Sequence, residues 1–555
     1  MKVICLLVLF FGFSLSQVDI NYSYEFKYGS GKQVTIQDTS NYNYLENLLD
    51  VSAYLSEYIY IYTQIEYSNP PVFGDSRVNF NKIINNAYLE YTTDRLSIKF
   101  GDLNELFGRG LACYTLLDQN VDYSNLLRGA SANYYITDDL KISALFGSGD
   151  IQFRSNPSFR KSDLGLHTST LIGSFEYEHD KFGLINYNYI KQNNQIDPSR
   201  FSLIGETEIH DDIVERLSDD SDEYLKDAFS SYIRGEYIKD TVFVSNHNLN
   251  WNIYIGSFDI YIDKAWIDYQ KLYGDDVFGS RFYSSIYTEI FDIGVTYEYK
   301  NYNAPYLIKT LANPPIVYRE GTSILASRNA HAFNIGNEIG HQVDFNKNMN
   351  GINLLGNFSI SSKHNDSKIV KYEFNQLLAM NEDSLLALYN PFRQIYFETN
   401  GWILSENLYF KLASDYFDEF LDQKYTSAFT LPTQWVLKMD SGNSFTMYLE
   451  FQNKSVKQYD QNFKITNEKK SFNEYISISF NQSGKWTLTG FLDRETLKEK
   501  TEQWPGMDCS YNISPKTQLS LFYGSQKGGL VCANGICAEQ PGFEDGYKIT
   551  LRSIF

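Results

Sequence analysis

Phe445-Thr-Met-Tyr-Leu-Glu-Phe451 switches at every residue between an apolar and a more polar side chain. On an extended chain Phe445, Met447, Leu449 and Phe451 share one face, and Thr446, Tyr448 and Glu450 share the other. The same period of two returns along most of the sequence, in pairs of runs joined by tight turns. Ile83–Thr93 and Leu96–Asp102 flank Asp94-Arg95, and Val242–Ile255 and Phe258–Tyr269 flank Gly256-Ser257. Phe472–Phe480 and Trp486–Leu492 flank Gln482-Ser483-Gly484-Lys485, and Asp508–Ile513 and Thr517–Tyr523 flank Ser514-Pro515-Lys516. Residues of these types supply the positive or preset φ that a hairpin turn needs. A chain of 555 residues patterned this way makes either several small β domains or one very large sheet. No fixed repeat of the length that builds propellers or solenoids is present.

Composition decides between the two. Mean hydropathy is −0.37, which excludes a bundle of membrane helices. Past the N-terminus no apolar run approaches the length of a spanning helix. Yet the chain holds 45 Tyr and 39 Phe with only 12 Pro. A polar average with abundant aromatics suits a transmembrane barrel, whose strands give half their residues to lipid and half to a wet lumen. The last ten residues alternate again: Tyr547, Ile549, Leu551, Ser553 and Phe555 against Lys548, Thr550, Arg552 and Ile554. This stretch resembles the closing strand of Gram-negative outer-membrane barrels. The resemblance implies that Phe555 is an assembly signal, read by the barrel-assembly machinery.

The N-terminus reads as a secretory signal peptide: Lys2, an apolar core Val3–Phe13, then Ser14 and Ser16 before a cut near Gln17. The expected organisation is a signal peptide over 1–16 and a barrel domain over 17–555. The fold class is all-β, a single large antiparallel transmembrane barrel of about 22–26 strands, with short periplasmic turns and long extracellular loops. Counting back from Phe555, the strand direction slips once. Ser285–Tyr299 and Phe333–Phe345 come out running the same way. Lys300–Ala332 is therefore expected to hide one more strand or to fold inward from the periplasmic side.

Few residues suggest chemistry. Cys532-Ala-Asn-Gly-Ile-Cys537 brackets a tight turn, so the two cysteines face each other within disulfide reach in an oxidising compartment. Cys113 and Cys509 remain, and their pairing stays open. Glu338-Ile-Gly-His341 has zinc-like spacing only on a helix; on a strand an offset of three sends the side chains to opposite faces. The acidic centre of Gln192–Asp240 (Asp211, Asp212, Asp219, Asp220, Asp222, Glu223) does not match an EF-hand and reads as a solvated loop. No nucleophile elbow, phosphate loop or paired-carboxylate motif appears, so no enzyme, metal site or cofactor is expected. A net charge of −20 leaves no basic stripe for nucleic acid.

Two stretches break the hairpin rhythm. Phe107-Gly108-Arg109-Gly110-Leu111 carries a permanent cation between glycines, and Asn313-Pro314-Pro315 is followed by Arg319, Glu320, Arg328 and His331. Adjacent prolines do not sit inside a paired central strand. Arg109, Arg319, Glu320, Arg328 and His331 are the candidate lining of a constriction or partial plug. With the Gly528-Gly529…Cys532…Cys537 loop and Phe555, these stretches resemble an uncharacterised family of porin-like Gram-negative outer-membrane β-barrels. The resemblance implies no reaction. TonB-dependent transporters fit less well, since strand-like alternation already begins at Ile20–Tyr28.

The leading expectation is an outer-membrane channel for passive diffusion or transport of small solutes. Its partners would be outer-membrane lipid and, during biogenesis, the assembly machinery. The alternative is a structural or surface-interaction barrel with an occluded lumen and working extracellular loops. An enzyme at the rim and a soluble exported β-protein are the remaining options.

Overall fold

The computed structural model describes residues 19–34, 39–69, 72, 84–121, 123–153, 166–196, 239–271, 276–304, 310–329, 331, 335–364, 391–421, 423–439, 442–460, 464–498, 500–533 and 536–555. The signal-peptide reading of 1–16 and the acidic centre of the 192–240 loop lie outside them.

One sheet of 26 strands dominates. Two of its members, Leu117–Asp118 and Tyr123–Ser124, are two-residue pieces of an inserted segment, which leaves 24 in the wall. Each wall strand pairs antiparallel with the next in the chain. The last, Gly542–Ile554, then pairs antiparallel with the first, Asp19–Val34, from Ser23↔Ile554 to Val34↔Gly542. The sheet is therefore a closed barrel with no free edge.

Side chains sort on this wall in the reverse of a soluble protein. Thr168, Thr170, Asn186, Asn188, Asn248, Asn250, Asp263, Ser359 and Ser361 are buried on the inner face. Leu171, Tyr187 and Leu249, which adjoin them in sequence, and Phe175 and Trp266 on the same strands point outward and are exposed. The outer face is thus an apolar band around a polar interior, which suits a lipid solvent and no other. Closure completes the case, because lipid offers no partner to an unpaired strand edge. Exposed aromatics gather beside the short turns, among them Tyr54, Tyr58, Tyr91, Tyr254, Trp402 and Tyr511. That is the position of an aromatic girdle at a membrane interface.

All the connections at one end of the barrel are two to four residues long, such as 93–95, 256–257, 350–351 and 515–516. The opposite end carries every long connection, including 104–126, 197–240, 304–336, 363–391 and 527–541, beside a few short ones.

The strand count corrects the expectation for Lys300–Ala332. Among its described residues no further strand hides there, and the segment does not start from the short-turn end. The missing strand comes from Ser285–Tyr299, which is two strands: Asp276–Ile290 and Ile293–Asn303, joined at Phe291-Asp292. Both turn residues have positive φ, 54° and 59°. Phe and Asp carry no glycine signal, and Ile290 and Ile293 continue the apolar pattern across the break. Alternation therefore reads straight through the turn. With the hairpin restored the direction holds throughout, and 304–336 enters from the end with the long connections.

Candidate lumen site

Two long connections turn back into the barrel instead of standing outside it. Residues 104–126 follow strand Leu96–Leu103, and residues 304–336 follow strand Ile293–Asn303. Leu111, Cys113 and Val121 of the first, and Leu311, Val317 and Tyr318 of the second, are buried. Both meet side chains of the inner face.

In the first segment the pair Leu106–Phe107 and Cys113–Tyr114 closes a tight loop around Arg109. Gly108 and Gly110 adopt φ of +64° and +87°, conformations that a side chain strains. Arg109 Nη1 donates to the Tyr283 hydroxyl at 3.1 Å, and its guanidinium lies 4.0 Å over the Tyr261 ring. Its backbone N–H donates to Asp263 Oδ2 at 3.4 Å. The cation is thus held flat against two wall tyrosines. The segments also meet each other: Asn313 N–H donates to the Gly110 carbonyl at 2.9 Å, and Tyr114 N–H to the Leu311 carbonyl at 2.7 Å. A Cβ on Gly110 would lie 2.2 Å from the Asn313 oxygen. Gly110→Ala is therefore expected to strain this junction by about 1–3 kcal/mol. Limited trypsin digestion of the folded barrel checks it: cleavage after Arg319 or Arg328 should accelerate in the variant.

Among its described residues the second segment forms no strand ladder, and wall side chains supply further hydrogen bonds to it. Tyr302 donates to the Pro315 carbonyl at 2.8 Å, and Lys300 Nζ donates to the Ile316 carbonyl. These bonds answer the need created by the two prolines, whose backbone cannot pair regularly. Beyond them the chain makes one helical turn, Ile324–Ser327. Its N-terminal donors converge on one wall carboxylate. Ser323 Oγ, Leu325 N and Ala326 N all donate to Glu450 Oε1, at 2.6, 2.9 and 3.2 Å. Glu450 is the polar member of the alternating strand Asn443–Tyr459 and caps a turn that no local residue caps.

Arg328 follows the turn and makes a two-pronged bond to Asp493, Nη1–Oδ1 at 3.3 Å and Nη2–Oδ2 at 2.5 Å. Arg319 instead lies 4.0 Å over the Tyr396 ring, and its buried Nε finds no hydrogen-bond partner among the described residues. Glu320 lines the same small cavity as Arg319, with Gln394 and Asp415 opposite.

His331 sits in the most heavily charged place. Its Nε2 is 3.1 Å from Glu338 Oε1, and its Nδ1 bonds Glu419. Its ring stacks on Phe392 at 4.2 Å and meets the edge of Tyr318. Glu338 also holds Lys300, 2.6 Å away, and both are almost wholly buried. Burial works against a charged His331, but Glu338 and Glu419 outweigh it and raise its pKa to about 9. The imidazole is therefore a cation at neutral pH, bridging two carboxylates.

The five candidate lining residues thus all lie in the two inserted segments. Their partners Tyr261, Asp263, Tyr283, Lys300, Glu419 and Asp493 carried no such role in the sequence, and Glu338 stood out there only for its spacing to His341. Each sits on a regular strand, where one charged residue among alternating polar ones carries no signal. Glu338 and His341 do not form a ligand pair: Glu338 joins the charge cluster, and His341 packs on Tyr297 and Tyr299. No group of side chains among the described residues is arranged to hold a metal ion.

The question left open for two of the cysteines has an answer. Cys113 and Cys509 are both free, Cys113 in the first inserted segment and Cys509 on wall strand Thr501–Ser514. Burial pushes the Cys113 thiol well above its usual range. The backbone sets Cys532 directly opposite Cys537 between strands Gly529–Ala533 and Ile536–Gln540. Their side chains lie outside the described residues. Phe555 ends the closing strand, and its N–H donates to the Tyr22 carbonyl at 2.8 Å.

The family model of proteins described as "Family of unknown function (DUF6029)" matches residues 1–208 and 289–555. The chain belongs to that family. No curated protein matches it. Among solved structures, this DUF6029 protein is similar to the P pilus usher (PapC) translocation pore, at 8% identity over 96% of this chain and 99% of that one, with a TM-score of 0.43. A mutant ferric enterobactin receptor (PfeA) from Pseudomonas aeruginosa gives 10% identity over 96% and 80%, with a TM-score of 0.48. A BenF-like porin from Pseudomonas fluorescens Pf-5 gives 11% over 76% and 98%, with a TM-score of 0.36. At these scores the likenesses carry no functional argument, and the barrel assignment rests on the closed, inverted wall described above.

Proposed function

We propose that this DUF6029 protein is an outer-membrane channel of porin type, whose lumen is narrowed by residues 104–126 and 304–336. One observation supports this above the others. The inserted segments are tied to the wall by charged side chains of the chain's own strands, while another part of the interior remains a cavity lined by polar and aromatic groups. Irregular backbone at membrane depth survives where it is enclosed by protein or faces water. Arg109, Arg319 and Arg328 then place fixed positive charge in an otherwise acidic pore, as charged rings do in selective channels. Conductance of the purified barrel in a planar bilayer tests this. The expected result is steady conductance that shifts toward cations when the three arginines are neutralised. A silent bilayer would favour the other reading, an occluded structural or surface-interaction barrel, which draws support from the number of anchors holding the second segment.

This reading carries the remaining assignments with it. Residues 1–16 act as a cleaved signal peptide, the short turns face the periplasm, and the outer band contacts outer-membrane lipid. Phe555 serves the barrel-assembly machinery, so Phe555→Asp should reduce the yield of heat-modifiable barrel more than Ser553→Asp. Equal yields would refute that role. Cys532 and Cys537 form a disulfide that stiffens the last long connection, contributing roughly 2 kcal/mol or less because the loop is short. Thiol labelling of protein exported through an oxidising periplasm should leave both unlabelled while Cys509 reacts after unfolding.

A further inference from the structure

Beside the second inserted segment the barrel keeps a cavity of about 350 Å³, within the size range of small-molecule sites. Ile324 of the inserted turn and the half-buried wall rings Tyr475 and Phe491 give it an apolar side. Lys548 of the closing strand Gly542–Ile554 lines it as well. In the register of the wall Lys548 stands opposite Gly29 on one neighbouring strand and Phe522 on the other. Its side chain reaches toward the end with the long connections, where Gln33, Phe543 and Gln526 lie side by side on three adjacent strands. There the ammonium donates to the Gln526 side-chain carbonyl. It lies 4.5 Å from the centre of the Phe543 ring and 5.2 Å from that of Phe522.

The other charges that line this cavity are matched. Arg328 is paired with Asp493, and Lys527 with Glu495 at 2.8 Å. The acidic groups just behind the lining are also engaged. Glu46 accepts the Val72 N–H at 3.3 Å and is paired with Lys27 at 2.9 Å, and Glu544 accepts the Trp504 indole N–H at 3.3 Å. Lys548 is the exception: among the described residues no carboxylate pairs with it. An ammonium has three N–H donors, and Gln526 takes one of them. The two phenyl faces attract the cation without cancelling its charge. A half-buried cation of this kind gains from an anion more than an exposed one does, because water screens it less. A second donor waits in the same cavity: the buried Gln33 Nε2 finds no partner among the described residues. One unmatched positive charge, a free amide N–H and an apolar side together fit a ligand with one negative charge, two acceptor oxygens and an apolar body. A carboxylate supplies both oxygens. A dianion would find no second unmatched cation in the lining.

We infer that this cavity binds a small organic monocarboxylate, with its carboxylate on Lys548 and Gln33 and its apolar body along Ile324, Tyr475 and Phe491. This rests on the channel reading only in naming what the channel would pass; the site itself needs no open pore. The test is calorimetric titration of the purified, detergent-solubilised barrel with phenylacetate, with its neutral analogue phenylacetamide, and with inorganic phosphate. The expected result is saturable binding of phenylacetate, with the amide bound at least about tenfold more weakly and phosphate failing to displace the acid. Lys548→Met should lower the affinity for phenylacetate about tenfold, and Lys548→Arg, which keeps the charge, should retain most of it. Retained heat-modifiable mobility shows that each variant is folded. Should Lys548→Met fail to assemble, the ratio of acid to amide affinity in the wild type decides. Absence of saturable phenylacetate binding overturns the inference, as do equal affinities for acid and amide, or an affinity that folded Lys548→Met leaves unchanged. Displacement by equimolar phosphate overturns it too, because charge alone would then be recognised. The outcomes separate from those of the conductance experiment. Phenylacetate binding by a silent barrel removes the channel and keeps the site, and a conducting barrel that binds no phenylacetate does the reverse.

Discussion

Glu338→Gln is expected to be among the most destabilising single substitutions in this barrel, costing roughly 3–5 kcal/mol. Glu338 is 1% exposed and holds two cations at once, Lys300 at 2.6 Å and His331 at 3.1 Å. Glutamine keeps the shape but leaves a fully buried ammonium without its counter-charge, and breaking a buried pair costs far more than the pair contributes net. Lys300→Met in the same chain should restore part of the loss, because it removes the stranded charge. Urea unfolding followed by the gel-mobility difference between folded and unfolded barrel would measure both. His331 adds a pH signature. Its pKa rises from an ordinary 6.5 to about 9 in the folded protein. The stability it contributes is present in full below about pH 6.5 and is lost as pH climbs through about 9. Wild type should therefore weaken over that window, and His331→Gln should lose most of that slope. An unchanged slope would mean that His331 is not the titrating group.

Arg328→Ala should have the largest effect on conduction. The two-pronged bond to Asp493 ties the turn Ile324–Ser327 to strand Trp486–Leu497, and Glu450 holds the start of the same turn. Removing Arg328 strands Asp493, which is 2% exposed, at a cost of about 2–4 kcal/mol on the docked state. Arg328→Ala with Glu450→Ala removes both anchors. The docked population should then fall by orders of magnitude, and single-channel conductance should rise several-fold with frequent large openings. The single variant should show intermediate flicker. Wild-type conductance in the double variant would mean that the segment does not gate the pore.

The barrel was legible in the sequence because its solvent writes the pattern. Lipid on one face and polar interior on the other force a period of two, and Phe445–Phe451 displays it without any tertiary information. The place of the last strand in the wall and most of the short turns followed from that pattern and from turn residues such as Gly, Asp, Ser and Pro. The Phe291-Asp292 turn did not, because its residues reach positive φ without a glycine and Ile290 and Ile293 carry the apolar pattern straight across it. The two inserted segments announced themselves by composition: two adjacent prolines, which a paired central strand does not hold, and an arginine set between two glycines outside the alternating pattern. What they touch was invisible. Glu338, Glu419, Glu450 and Asp493 sit at ordinary inward positions of four different strands, and only closure of the barrel brings them around one turn and one histidine. The seat of Phe491 on a glycine was hidden for the same reason. Phe491 and Gly506 are directly opposed, yet nothing in either strand alone says that a ring on one lies over the bare backbone of the other. Local alternation determined that this chain makes a wall; which side chains meet inside that wall depends on register across strands far apart in sequence, and only the tertiary structure decides it.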